Sequence, residues 1–204
     1  MASSRKRRAA LIQAAAIVVG FAPLVALVVA ALGDRLGANP IEEITHETGE
    51  WALRWLLACL AVTPVRRRLG WSWAAPLRRT FGLIAFAYAT AHLSTWVVLD
   101  WFFDLEAMVE DVVERRYITV GMAAYLTLVP LAVTSTRGMI RRLGKRWLTL
   151  HKLVYLAAVL AVVHFLWLVK ADLLEPLLYA ALLAFLFGLR LRPSRRAAAK
   201  ADGR

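Results

Sequence analysis

Two histidines, His92 and His164, lie deep within stretches that otherwise contain almost only apolar residues. An ionisable side chain at membrane depth is costly, so by default it indicates a functional site with a partner to be found. Imidazole is also a strong ligand of haem iron. The positions of these two side chains therefore predict a metal-binding or proton-handling site inside an apolar bundle.

Both histidines are predicted to lie at similar depth. Counted from the basic residues that precede each apolar stretch, His92 is about 20 Å and His164 about 27 Å along its helix, and helix tilt can absorb part of the difference. Two helices running in the same direction could offer these imidazoles to opposite faces of one haem, which suits the iron to one-electron transfer. The alternative is a pair of polar residues that hydrogen-bond within the bundle.

A third histidine, His151, precedes His164 in the same apolar stretch, about 20 Å away along an ideal helix and about 140° around it. A second haem with two histidine ligands would need a histidine near position 79 or 80, where Arg79 and Thr80 stand. His151 is therefore compatible with one-sided ligation of a second haem, with contact to a quinone or flavin, or with a simple interfacial position. The fourth histidine, His46, is expected to be a solvated loop residue.

A haem at this depth needs cations for its propionates, and arginine pairs well with carboxylates. Three arginines are predicted at a suitable depth, namely Arg54, Arg115 and Arg116, together with Lys170. The alternative for each is that its charged head extends to the membrane surface.

Apolar residues make up 60% of the 204-residue chain and form six blocks, most of which reach the ~20 residues that cross a bilayer. The blocks span residues 9–32, 51–65, 81–99, 117–134, 147–169 and 173–191. The second is long enough only if its helix begins near Ile44. The sequence thus predicts an all-α integral membrane bundle of six transmembrane helices over residues 9–191, with no soluble domain. A cleaved signal sequence is the alternative for the first block.

Charges alternate in sign along the chain. The segment 1–8, the loops after the second and fourth blocks, and the tail 192–204 are basic, whereas the loops after the first and third blocks are acidic. Loops rich in lysine and arginine stay in the cytoplasm, so both termini are predicted to be cytoplasmic. The net charge of +12 is therefore assigned to the lipid bilayer surface and not to a nucleic acid.

The motif content narrows the chemistry. The chain has one cysteine, Cys59, and no CxxC motif, no GxGxxG motif and no phosphate-binding loop, which argues against a thiolate metal cluster and a nicotinamide-binding domain. If the chain moves electrons, donor and acceptor are other molecules. Paired acids at membrane depth, which would favour a proton-coupled membrane transporter, are missing from the six blocks.

Four segments in combination resemble the MsrQ (YedZ) family of haem-binding membrane subunits, which is similar to the transmembrane domain of ferric reductases. They are TGEWALRWLLACLAVTPVRR (48–67), LRRTFGLIAFAYATAHL (77–93), RRYITVGMAAYLTLVPLAVTST (115–136) and LGKRWLTLHKLVYLAAVLAVVHFLWLVK (143–170). The resemblance covers about residues 40–170. It implies at least one haem b held by His92 and His164, with His151 matching a third family histidine. Arg116 departs from the family, in which a proline is expected.

The resemblance also implies partners in a bacterial inner membrane. Electrons would come from the quinol pool or a cytosolic flavin reductase, with FMN as a possible further cofactor. They would pass to a periplasmic molybdopterin-containing methionine-sulfoxide reductase, which repairs oxidised envelope proteins, and the chain would be a non-catalytic subunit. The acidic third loop, with Glu106, Glu110 and Asp111, is predicted to dock this partner. A ferric reductase-type carrier is the related alternative, although the short tail leaves no space for its usual flavin and nicotinamide domain.

Overall fold

The computed structural model of the chain describes the backbone of residues 2–191 and the side chains of residues 7–191. Within this range the regular elements are all helical, which confirms the predicted all-α class. The predicted basic tail, 192–204, and most side chains of the predicted basic segment 1–8 lie outside the described residues.

The elements follow the predicted blocks closely. Among the described residues the α-helices are α1 (Ala2–Leu32), α2 (Pro40–Leu69), α3 (Leu77–Thr95), α4 (Leu105–Glu114), α5 (Arg116–Val133), α6 (Arg137–Leu143), α7 (Lys145–Leu150), α8 (Leu153–Leu168) and α9 (Leu174–Leu191). A 3₁₀ turn, Ser72–Ala74, precedes α3, and a π-helical turn, Trp96–Asp100, continues it. The short helices α4 and α6 form within the loops that follow the third and fourth blocks.

Five segments in the described part of the chain are long and apolar enough to cross a membrane. They are Arg7–Leu32, Ser72–Asp100, Arg116–Val133, Lys145–Leu168 and Leu174–Leu191. Helix α2 is not among them although it has 30 residues, because charged residues such as Glu50 and Arg54 lower its apolar character. The multi-pass membrane architecture is thus supported, whereas a sixth span and the orientation of the termini stay predictions.

Two helix pairs form the centre of the bundle, α2 with α3 and α5 with α8. Leu60 of α2 and Ala157 and Ala158 of α8 are almost completely buried between them. Small residues such as these alanines let helix backbones approach closely, and close packing stabilises helix association in lipid. Helix α9 covers α8 and α2.

Tyr88 of α3 attaches α1 to this centre. Pro23 in α1 has no backbone N–H, and its ring disturbs the preceding helical turn. The Tyr88 hydroxyl donates to the Gly20 carbonyl (2.9 Å) and accepts from the Leu24 N–H (3.0 Å), so it bridges two groups of the disturbed turn. The Tyr88 side chain is fully buried.

Arg190 of α9 likewise forms a hydrogen bond with the backbone of another helix, α2. Pro64 removes the N–H that would otherwise pair with the Leu60 carbonyl. The Arg190 guanidinium donates to this carbonyl and, through Nη1, to the Tyr155 hydroxyl at 2.5 Å. A side chain distant in sequence therefore satisfies the carbonyl that a proline inside the helix leaves free.

The predicted fifth block is divided in two. A turn at His151 and Lys152 separates α7 from α8, so the angle expected between His151 and His164 on one continuous helix does not apply. The His151 ring stacks on Trp147 with centroids 3.8 Å apart, and its Nδ1 donates to the Trp147 carbonyl (3.1 Å). These contacts place the His151 imidazole against α7.

Candidate functional site

Long-range contacts gather the charged loops at two ends of the bundle. We call residues 33–50, 96–116 and 169–175 the acidic end. Contacts within or beside these ranges bring them together, namely Thr45 with Thr95, Tyr117 with His164, and Arg54 with Glu175. We call residues 66–79 and 134–151 the basic end. The predicted alternation of charge along the chain is therefore a separation of charge in space.

The two predicted ligands meet at one cavity near the acidic end. His92 of α3 and His164 of α8 both line this cavity, which has a volume of about 280 Å³. Their ring centroids are 6.2 Å apart, and the ring planes make an angle of 76°. Most of the other lining side chains are apolar, among them Leu53, Leu128 and Phe165.

Each of these imidazoles is oriented by a backbone carbonyl. Nδ1 of His92 donates to the Thr45 carbonyl at 2.9 Å, and Nδ1 of His164 donates to the Tyr117 carbonyl at 2.7 Å. A carbonyl can only accept, so in the neutral ring the proton is on Nδ1 and the lone pair is on Nε2. This is the arrangement that prepares a histidine to bind a metal.

The spacing of the two rings fits a single metal ion between them. An imidazole nitrogen binds a transition metal at about 2 Å, and the ring centre lies about 1 Å further, so ligands on opposite sides place their centroids about 6 Å apart. The observed centroid distance is 6.2 Å. The residues present therefore fit a haem iron bound by two histidines.

Two glycines make space for the imidazoles. A Cβ atom on Gly121 of α5 would lie 2.6 Å from Nδ1 of His164, and a Cβ atom on Gly49 of α2 would lie 3.0 Å from the His92 ring. A side chain at either position would press on the imidazole, most severely at Gly121. Sequence reasoning missed both residues, although a glycine inside a helix often indicates a close approach.

Arg115 is the predicted arginine that lines the cavity. Its Nε donates to Asp111 at 2.8 Å, and a hydrogen bond to the Tyr117 hydroxyl raises the pKa of Arg115 above its usual value, so the guanidinium stays charged. Asp111 also accepts from the indole N–H groups of Trp96 (3.0 Å) and Trp101 (3.2 Å). Asp111 is only 5% exposed, so it is not available to the docking role that the sequence predicts for it.

The other two predicted arginines lie elsewhere. Arg54 forms a salt bridge with Glu50 and donates to the Tyr179 hydroxyl at 2.9 Å, with Glu175 at 3.8 Å. Neither Arg54 nor Arg116 lines the cavity, and Arg116 is exposed. The structure thus brings one of the three arginines to the two histidines. The prediction that His46 lies in a loop is wrong: it lies in the first turns of α2, where it is exposed and also lines the same cavity.

A second cavity, of about 230 Å³, lies toward the basic end and contains the third histidine. Arg78, Arg79, Trp147 and His151 line it, and the Ser135 hydroxyl is 3.5 Å from Nε2 of His151. The cavity thus combines cations, a flat aromatic surface and an imidazole. The described residues place His151 in a cavity separate from that of His92 and His164.

Residues 48–162, more than half of the chain, match the family of the ferric reductase like transmembrane component. This range includes His92 and His151 and ends two residues before His164. No solved structure gives a significant match.

Three curated relatives align with more than three quarters of the chain. The protein-methionine-sulfoxide reductase heme-binding subunit MsrQ of Rhodospirillum rubrum is 57% identical over 166 residues, which cover 81% of this chain and 80% of that protein. The subunit of the same name from Herminiimonas arsenicoxydans is 45% identical over 184 residues, covering 89% and 84%. That of Azospira oryzae is 51% identical over 160 residues, covering 78% and 69%.

Proposed function

Because this chain belongs to the MsrQ family of heme-binding subunits, we propose that it binds haem b and carries electrons across a membrane to a methionine-sulfoxide reductase. The observation that carries this proposal is the pair His92 and His164. Both rings line one cavity with centroids 6.2 Å apart, and each Nδ1 is bonded to a backbone carbonyl.

Haem b, if held by His92 and His164, would supply one-electron transfer chemistry at this site. The carbonyls of Thr45 and Tyr117 hold the two imidazoles, and the apolar side chains around them exclude water. Arg115, at the cavity, is the proposed partner of a haem propionate, since a guanidinium pairs strongly with a carboxylate. Arg54 and Arg116 are assigned no contact with the haem.

The proposed orientation places the basic end in the cytoplasm and the acidic end in the periplasm of a bacterial inner membrane. The positive-inside rule supports it, since Arg78, Arg79 and the basic residues of α6 lie at one end. We include α2 as the sixth span. The salt bridge between its Glu50 and Arg54 pairs the two charges, which lowers the cost of placing them near the bilayer.

The second cavity is the proposed entry point for electrons. It lies toward the cytoplasmic side in this orientation, where quinol, a cytosolic flavin reductase or bound FMN could reach it. Trp147 offers a stacking surface, and Arg78 and Arg79 offer cations for a polar head group or phosphate. Replacement of His151 by alanine should slow haem reduction from quinol and from flavin reductase. Unchanged rates from both donors would remove His151 from the pathway.

The periplasmic molybdopterin-containing subunit is the proposed acceptor. The haem cavity lies near the acidic end, so the last transfer step toward a periplasmic protein would be short. The exposed acids of α4, Glu106, Glu110 and Glu114, are the proposed steering charges for that protein. They replace the predicted set, from which the buried Asp111 is excluded.

A reduced-minus-oxidised visible spectrum of the purified protein tests the core of the proposal. We expect a low-spin b-type spectrum that is lost in His92→Ala and in His164→Ala. His46→Ala is the matched control, because His46 is a histidine at the same end that is exposed, and it should keep the spectrum. A colourless wild-type protein produced with sufficient haem would refute haem binding and favour a transporter.

A further inference from the structure

Helix α4 carries three chemically different rows of side chains. Residues four positions apart share one face of a helix, and the burial of the α4 residues follows these rows. The rows are Ala107, Met108, Asp111 and Val112 toward the bundle, Leu105, Val109 and Val113 as an exposed apolar row, and Glu106, Glu110 and Glu114 as an exposed acidic row. The two exposed rows lie side by side on the outer half of the helix, and each adjoins one edge of the row that faces the bundle.

The rotation of α4 about its axis is fixed by Asp111. Its carboxylate accepts from the indoles of Trp96 and Trp101 and pairs with Arg115. Any roll of the helix that turned the apolar row inward would break these bonds and leave the indole N–H groups of Trp96 and Trp101 without this acceptor, which is costly. The contacts of Asp111 therefore keep the apolar row facing away from the bundle.

The apolar row continues into the turn before α4. Phe102 and Phe103 have φ angles of 45° and 65°, a left-handed conformation that residues with a Cβ atom adopt rarely. Together with the apolar row they form what we call the 102–113 apolar patch, comprising Phe102, Phe103, Leu105, Val109 and Val113. Its five side chains are between 65% and 76% exposed. A soluble protein surface seldom keeps such a patch uncovered.

The height of α4 follows from the elements on either side. The candidate span Ser72–Asp100 ends four residues before Asp104, the N-cap of α4, and the candidate span Arg116–Val133 begins two residues after the end of α4. The helix is therefore held at the boundary between the apolar part of the bundle and its acidic end.

We propose that the 102–113 apolar patch is a membrane anchor, inserted among the lipid head groups and upper acyl chains of the leaflet at the acidic end. The acidic row then faces water. A helix with one apolar and one strongly charged face lies in the plane of the membrane interface in this way. The proposal rests on the proposed membrane insertion of the chain and is independent of haem binding.

Two observations favour lipid over a protein partner as the occupant. The patch lies in the short segment that joins two candidate spans, Ser72–Asp100 and Arg116–Val133, so lipid around these spans reaches it without any assembly step. The charges that could attract a soluble protein lie on the other exposed face, at Glu106, Glu110 and Glu114. In this position the apolar row contacts lipid and the acidic row contacts water, which is the favourable environment for each.

Spin labels at matched positions on α4 test the anchor. The single cysteine, Cys59, is replaced by alanine, and Val109→Cys is compared with Glu110→Cys in full-length protein. Val113→Cys and Glu114→Cys provide a second, independent pair. Each labelled protein is reconstituted in vesicles of phosphatidylethanolamine and phosphatidylglycerol, its helix content is recorded by circular dichroism as a check of folding, and its haem spectrum is recorded separately. Relaxation by oxygen reports lipid exposure, and relaxation by a water-soluble nickel chelate reports water exposure.

We expect the labels at 109 and 113 to be relaxed mainly by oxygen, and those at 110 and 114 mainly by the nickel chelate. Equal access of nickel to both members of a pair would overturn the anchor. Shielding of position 109 only after a soluble partner is added would assign the patch to that partner instead. Dipolar broadening between labels at 109 would assign it to a second copy of the chain. A lost haem spectrum in wild-type vesicles would count against the proposed function alone.

Discussion

The His164 ring is held between a hydrogen bond to the Tyr117 carbonyl and the bare backbone of Gly121. A Gly121→Ala substitution would place a methyl group 2.6 Å from Nδ1 of His164, so the imidazole would have to move. Overpacking of this kind costs about 1–3 kcal/mol, and the part of it that is specific to the haem-bound imidazole weakens haem binding by up to about 150-fold. Haem content per protein, measured by absorbance after titration with haem, checks this expectation.

Gly82→Ala is the matched control for that experiment. Gly82 also lies inside a membrane helix, but a Cβ atom there would be 3.5 Å from the sulfur of Cys59, an ordinary contact. We expect this variant to bind haem like the wild type. Equal haem affinity of the Gly121 and Gly82 variants would show that the close approach at Gly121 does not orient the ligand.

Asp111 connects the outer loop to the haem cavity through Arg115. A negative charge near the haem stabilises the oxidised iron, which carries more positive charge than the reduced iron. Neutralising a carboxylate therefore raises the reduction potential if the carboxylate acts on the iron directly. Asp111→Asn also releases Arg115, and loss of that cation from the cavity lowers the potential. Because Arg115 and not Asp111 lines the cavity, we expect the loss of its charge to dominate. Asp111→Asn and Arg115→Gln should therefore both lower the midpoint potential in a redox titration.

The exposed neighbour Glu110 provides the comparison for Asp111. Glu110→Gln removes the same charge from the same helix without releasing Arg115, so its effect on the potential should be small and upward. If Asp111→Asn shifted the potential upward as well, Asp111 would act only through its charge, and its contacts with Arg115 would not position a partner for the haem.

At the scale of whole elements, side chains from other helices form hydrogen bonds with backbone groups at two prolines inside helices, Pro23 of α1 and Pro64 of α2. Tyr88→Phe would remove the hydroxyl that serves the Gly20 carbonyl and the Leu24 N–H of α1. Each buried polar group left unpaired costs about 1–3 kcal/mol. We expect a lower thermal unfolding midpoint in detergent micelles and earlier proteolytic release of α1.

Tyr125→Phe separates this effect from the general loss of a tyrosine hydroxyl. The Tyr125 hydroxyl lies 3.3 Å from the Thr90 hydroxyl, and neither belongs to a disturbed helical turn. Its removal should affect stability less. Equal losses of stability in the two variants would indicate that Tyr88 contributes packing but does not specifically hold α1.

At the scale of the whole molecule, the separation of charge predicts how a soluble acceptor is attracted. The triple variant Glu106→Gln, Glu110→Gln and Glu114→Gln removes the exposed acidic row of α4. Electrostatic steering raises association rates by about 10-fold or more, so reduction of the periplasmic partner should slow by about that factor at low salt. Stopped-flow measurements at rising ionic strength should show the difference disappear as the charges are screened.

A charge-matched control uses other acids of the same end. Asp34→Asn, Glu42→Gln and Glu43→Gln together remove three exposed charges from the segment around the start of α2. If this control slowed the reaction as much as the α4 variant, net charge and not the α4 row would attract the partner.

Local properties of the chain were sufficient to predict much of this protein. Hydrophobic blocks of bilayer length and loops of alternating charge are properties of consecutive residues. The helices and the charge pattern could therefore be predicted without knowledge of tertiary contacts. His92 and His164 stand out for the same reason, because a polar residue in an apolar block is visible from its neighbours alone. Whether α2 also crosses the membrane was less certain, since Glu50 and Arg54 weaken its apolar signal.

The tertiary structure decided which side chains the histidines meet. The carbonyls of Thr45 and Tyr117 are each 47 residues away in sequence from the imidazole that they orient. Sequence spacing does not predict contacts between residues so far apart. The same holds for the inward rotation of Asp111, the bridging hydroxyl of Tyr88 and the choice of Arg115 over Arg54. Each depends on how separate helices pack against one another, which fixes directions that the sequence of a single helix leaves free.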